Sequence, residues 1–208
     1  MGRHFCALSI TILTLGITTA PKEQLPEVPT PLGVLAPTEV QKPTHHLNSI
    51  ACGYPPPSTI VEWRRESAGV VRVRINSHRT YDSNPEPEPM PYIHTELEVT
   101  VLDVFKLHPR AAGVGGTMAI THPGGTLEKA DAFYVSIANS FPPPPVGTEW
   151  ILFLYWNDGT NEFWISSLQY GAFEIVDGRV APVAESRFGA LWRGQEADAL
   201  ADALRAVR

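Results

Sequence analysis

The chain has 208 residues, a formal net charge of −6, 43% hydrophobic residues and five Trp. That is enough for one ordinary domain with extensions and a real apolar core. A mildly acidic chain without a Lys/Arg-rich run argues against nucleic acid and against anionic membrane surfaces as partners.

Residues 1–20 read as a secretory signal. Arg3 supplies the positive charge, Phe5 to Ile17 is apolar apart from Ser and Thr, and Thr18 and Ala20 are small residues at cleavage-like positions. The expectation is an exported protein, periplasmic, cell-surface or extracellular. A bilayer needs about 20 predominantly apolar residues, so no membrane span is expected once the signal is removed. Pro21 is a poor residue directly after a cut. That leaves two alternatives, cleavage at another bond or a retained N-terminal anchor. Cys6 has no lipobox before it. If it leaves with the signal, Cys52 is a lone thiol, either free for a disulfide with another chain or a half-buried unreactive residue.

Residues 21–57 hold nine of the 20 Pro and few large apolar groups, and read as an extended, mostly disordered linker. His45 and His46 lie within it. Two ligands on a mobile tether bind metal weakly, so a solvated pair is expected.

The barrel domain is expected over 58–185. Thr59 and Glu62 have the Thr-x-x-Glu spacing of a capping box, which predicts a helix from Ile60 to Ser67 with Ile60, Trp63 and Val61 toward the core. Val70 to Ile75 alternates, with Val71, Val73 and Ile75 on one face and Arg72 and Arg74 on the other. A Pro- and acid-rich loop is expected from Arg79 to Pro91. Tyr92 to Leu107 alternates again, Ile93, Thr95, Leu97, Val99 and Val101 sharing one face and His94, Glu96, Glu98 and Thr100 the other. The phase changes at Leu102 to Val104, which predicts a bulge. Arg72 and Arg74 are expected opposite Glu96 and Glu98 on the outer face.

Thr117 to His122 predicts a short strand ended by a Pro123-Gly124-Gly125 turn, and Phe133 to Ile137 another strand. The glycines at 113, 115 and 116 lack the Lys-Ser/Thr of a phosphate loop. Glu149 to Trp156 is apolar on both faces, so its outer face needs a cover. After a turn at Asn157 to Asn161, Phe163 to Leu168 returns, and Asp177-Gly178 makes a hairpin of Ala172 to Val176 with Arg179 to Val183. Over 186–208 the period becomes helical. Phe188, Leu191, Trp192, Leu200, Leu204 and Val207 form a stripe expected to pack on the barrel, over Glu149 to Trp156.

The fold class expected is therefore mainly β, a small OB-like antiparallel β-barrel with a short N-terminal helix and a C-terminal amphipathic helix. Thr121-His122-Pro123-Gly124-Gly125, Val146-Gly147 with Ile151-Leu152-Phe153-Leu154, and Gly171 with Phe173 carry a resemblance over Thr59 to Val183. The chain resembles a loosely defined group of uncharacterised exported bacterial proteins whose cores are similar to the OB-type barrel of netrin-like modules and the tissue inhibitors of metalloproteinases. Those inhibitors chelate the protease zinc with an N-terminal Cys inside a disulfide-rich scaffold. Cys52 is far from any mature terminus and the partner cysteines are absent, so that mechanism does not carry over.

No catalytic residue, metal site or cofactor is expected: the seven His are scattered, no Gly-x-Ser-x-Gly occurs, and Glu86 and Glu88 sit in a Pro-rich loop. The leading expectation is a secreted or envelope-associated binding module that meets an unknown protein or envelope component through its rim loops, Arg79 to Pro91 and Thr126 to Val146. The candidate contacts are Arg79 and Tyr81 in the first, and Phe133, Tyr134 and Phe141 in the second, aromatic residues able to anchor a partner. The alternatives are a protease inhibitor using a rim loop and a structural envelope protein held by the uncleaved signal or by Cys52.

Overall fold

The computed structural model describes residues 42–47, 56–84, 91–109 and 116–207. The expected signal segment 1–20, both cysteines, Glu86, Glu88 and most of the expected 21–57 linker lie outside the described residues.

The fold is mainly β. Helix α1 (Ile60–Glu66) carries the expected capping box in full: Thr59 Oγ1 accepts the Glu62 N–H, and the Glu62 carboxylate accepts the Thr59 N–H. Only Trp63 of this helix is fully buried. Val61 is 53% exposed, contrary to the expected inward face.

Strands β2 (Gly69–Asp82), β3 (Ile93–Lys106) and β4 (Thr117–Glu128) form an antiparallel meander. β6 (Glu149–Asn157) pairs with the free side of β2, and β7 (Glu162–Ile165) returns antiparallel to β6. β7 then meets β4 in parallel through Thr121 and Trp164. The strands thus close a ring in the order β2-β3-β4-β7-β6, an OB-like five-stranded arrangement. β8 (Ala172–Val176) and β9 (Arg179–Pro182) extend the sheet from β6 as the expected Asp-Gly hairpin.

Two apolar clusters follow from the two faces of β6. Trp150, Leu152 and Leu154 point into the ring, where Val71, Val73, Ile75, Leu97, Val99, Met118, Ile120, Phe163 and Ile165 meet them. Ile151 and Phe153 point outward against Trp63, Phe105, Phe173, Phe188, Leu200 and Leu204. The second cluster is covered by α1 together with α2 (Arg187–Trp192) and α3 (Ala197–Ala206). The single C-terminal helix expected over 186–208 is thus two helices. Gly194, with φ of +71°, ends the first, and residues 194–197 turn their backbone to β9, where Gly194 N–H donates to Val180 O and Val180 N–H to Gln195 O. Within the first helix Phe188 is buried, while Leu191 faces solvent at 65% exposure.

Other expectations change for identifiable reasons. β2 runs on through Asp82, pairing with β3 down to Ile93, so Arg79 and Tyr81 belong to a strand rather than to a loop. The register skips Leu102 opposite β2, so the phase change is a bulge. In the β2–β3 register Arg72 faces Asp103 and Arg74 faces Thr100, not Glu98 and Glu96, which lie opposite Ser77 and Arg79. Arg72 instead binds Glu149 at 2.5 Å and Asp198 at 2.9 Å, tying β2 to α3.

The Pro123-Gly124-Gly125 segment does not end β4. Gly124 and Gly125, at φ of +97° and +140°, bend the strand so that its first half pairs β3 and its second half pairs β5 (Phe133–Ile137). A Cβ at Gly125 would collide with Thr95 Oγ1, so the bend needs glycine twice over. Residues 126–128 and 133–137 of the expected 126–146 rim loop are therefore sheet. Within the expected linker, β1 (Thr44–Leu47) adds in parallel to the outer edge of β5.

Candidate functional site

The five residues expected to contact a partner do not form one site. Phe141 is 2% exposed inside the ring, against His122 (centroids 5.0 Å apart) and Trp150 (6.2 Å). It is core and cannot anchor a partner. Phe133 and Tyr134 are half-buried on β5, beneath Lys42, which precedes β1, and His45 of β1. Arg79 and Tyr81 lie elsewhere, on β2, with the guanidinium 5.7 Å over the Tyr81 ring and bonded to Glu96 at 3.2 Å.

Tyr81 belongs instead to a basin on the outer face of the ring. Outward positions of a strand alternate with core positions, and three strand pairings bring such positions together. Tyr81 is the register partner of His94 across β2 and β3. Trp164 is the partner of Thr121 across β4 and β7, and of Tyr155 across β6 and β7. Ring closure therefore places Tyr81, His94, Thr121, Trp164 and Tyr155 side by side, with Tyr92 just before β3.

His94 is the hub. Trp164 lies edge-on to it at 4.6 Å, Tyr92 at 4.8 Å and Tyr81 at 6.0 Å, and Tyr155 follows Trp164 at 6.1 Å. Such edge-to-face pairs are favoured by the ring quadrupoles and hold the rings in fixed orientations. The imidazole is 6% exposed, although its sequence position is on the outer face. Burial pushes its pKa below the ordinary value, with Glu162 opposing, so it is neutral at pH 7. Glu162, from β7, accepts the Thr121 hydroxyl at 3.3 Å. Desolvation raises the Tyr81 phenol pKa and pushes that of Tyr155 up to about 12, so both keep their O–H.

The basin has a buried polar floor and an open aromatic rim. His94 Nε2 and Trp164 Nε1 are buried without hydrogen-bond partners. Tyr92 is 50% and Tyr155 39% exposed. Beside it, across Arg79 and Glu96, runs an open groove of about 540 Å³ lined by Ser77, Glu98 and Ala119 among others. Arg79 is the one cation among the basin and groove residues named here, and it is paired, while Glu96, Glu98 and Glu162 are acidic. The surface suits neutral, hydroxyl-bearing groups and disfavours anions.

No protein-family model matches the chain, and no curated protein shows significant similarity to it.

The basin residues Tyr92, His94, Tyr155, Glu162 and Trp164 carry no local signal as a site. Tyr155 and Trp164 read as strand residues of an apolar hairpin, and His94 as one of an alternating polar set. The parallel contact of β7 with β4 brings the β6–β7 pair Tyr155 and Trp164 beside His94 and Tyr92.

Proposed function

We propose that the chain is a non-enzymatic binding module of an exported protein, one that holds a neutral oligosaccharide or the polysaccharide of an envelope on the outer face of its ring. The carrying observation is the exposed aromatic rim of Tyr92 and Tyr155 around Trp164, with Glu162 and Thr121 as polar groups and an open groove continuing from it. Aromatic surface with a few polar groups is the usual make-up of ligand sites, and the strand face of OB-type barrels serves oligosaccharides among other ligands. An open, elongated surface suits a polymer better than a small cofactor. The buried, neutral His94 is a structural hub in this reading, not an exposed base. Export rests on the signal-like residues 1–20, and the likeness to netrin-like modules belongs to the same proposal.

The rim-loop inhibitor reading is weakened because Arg79, Tyr81, Phe133 and Tyr134 lie on paired strands, which are poorly suited to enter a protease cleft. The test is a titration of the full chain with chito-, cello- and malto-tetraose and with a soluble envelope polysaccharide, following Trp fluorescence. At least one should shift the emission saturably, and Tyr92→Ala and Tyr155→Ala should each weaken it about tenfold or more, the loss of one stacked anchor. A flat response to every sugar at millimolar concentration would end this reading.

A further inference from the structure

The linker segment that folds as β1 points to a second binding surface, at the other end of the sheet. β1 is not a hairpin return. It runs parallel to β5, and the ion pair just before it, Lys42 with Glu128, joins residues 86 positions apart. Without β1, β5 would be an open edge bearing Phe133, Tyr134, Val135 and the 46%-exposed Ile137, and open edges of this kind template pairing with another chain.

What holds β1 there is polar, superficial and local. Pro43 O accepts the Phe133 N–H at 2.9 Å. Lys42 Nζ bonds the Glu128 carboxylate at 2.6 Å and Lys129 O at 3.2 Å, and lies 5.8 Å from the Phe133 ring centroid. His45 stacks on Tyr134 at 5.2 Å. Thr44, His45 and His46 are exposed and Leu47 is half-buried, so the strand inserts no side chain into either core. Contacts of these kinds are individually weak. A four-residue strand held by them stays in place mainly because it is covalently tethered, which gives it a high effective concentration.

We propose that the outer edge of β5 is a receptor groove for an extended peptide of another polypeptide, and that residues 42–47 occupy it in cis as a built-in competitor. The recognition chemistry is read from that occupant. A Lys or Arg meets Glu128, the backbone pairs in parallel with Phe133–Ser136, and a planar ring three residues after the cation stacks on Tyr134. This is strand addition to a sheet edge, in which main-chain bonds supply affinity and side chains supply choice of partner.

The test uses the full chain and a fluorescein-labelled peptide of its own residues 41–49. His45→Pro removes a ladder N–H and the stacked ring from β1 while leaving β5 intact. Because a cis competitor lowers apparent affinity by the fraction of empty groove, the peptide should bind His45→Pro at least tenfold more tightly than the parent. Lys42→Glu, which empties the edge by repelling Glu128, should give the same ordering if His45→Pro is poorly folded. Glu128→Lys added to His45→Pro should weaken binding at least tenfold. Equal binding to parent and emptied variants, or indifference to Glu128→Lys, overturns the proposal. So does a concentration-dependent dimer of the parent that His45→Pro abolishes, because the groove would then serve exchange between copies of this chain.

Discussion

His122 lies at 0% exposure inside the ring, edge-on to Phe141, with neither ring nitrogen in a well-formed hydrogen bond. Burial drives its pKa from 6.5 to about 3. The sign of the consequence follows from proton counting. Above pH 6.5 both folded and unfolded chains carry the neutral ring, and the stability is fully present. Between 6.5 and about 3 the unfolded chain binds a proton that the folded chain refuses, so stability is lost as pH falls, by about 1.4 kcal/mol per pH unit. His94, lowered by the same cause, adds in the same direction. Urea unfolding between pH 5 and 6.5, above the carboxylate range, should show this slope, and His122→Leu should remove one proton's share of it. An unchanged slope in the variant would mean that the imidazole is not held neutral. The His122 position was legible in the sequence only as part of the Thr121–Gly125 motif. Its burial was not, because it depends on β4 bending at Gly124 and Gly125 rather than turning there.

At the scale of elements, the C-terminal helices show how far a periodic pattern reaches. The stripe of Phe188, Leu191, Trp192, Leu200 and Leu204 is continuous in a single ideal helix. The chain breaks it at Gly194 because the backbone there pairs with β9. Phe188, at 1% exposure, packs between Trp63, Phe153 and Phe173, and Phe188→Ala should cost about 3–5 kcal/mol. Leu191, at 65% exposure, should cost within about 0.5 kcal/mol when changed to Ala. Chemical denaturation of the two variants distinguishes this arrangement from the expected stripe, in which both residues pack on the barrel and both variants lose stability. The capping box of α1 and the Asp177-Gly178 hairpin were legible in full, since a cap and a two-residue turn are closed by residues within a few positions of each other.

For the whole molecule, the ring and the added edges differ in what holds them. β2, β3 and β6 share ladders on both sides and feed both apolar clusters, whereas β1 pairs on one side and buries no side chain fully. Hydrogen exchange should therefore separate them. Core amides of β2 and β6 should open only with global unfolding, and those of β1 at a small fraction of that free energy. Equal protection across all of these strands would show β1 to be an integral part of the domain, contrary to its surface contacts. The same contrast divides what each level of description determined. Binary patterning alone marked the inward faces of β2 and β3 and the double apolar character of β6, because a side chain's face follows from its parity along the strand. It could not say that β7 would close on β4, that a segment of the Pro-rich stretch would seek the edge of β5, or that Tyr81, Tyr92, His94, Tyr155 and Trp164 would share one surface. Those outcomes depend on register between strands tens of residues apart, and register is decided by the packing of the whole ring rather than by any local run of residues.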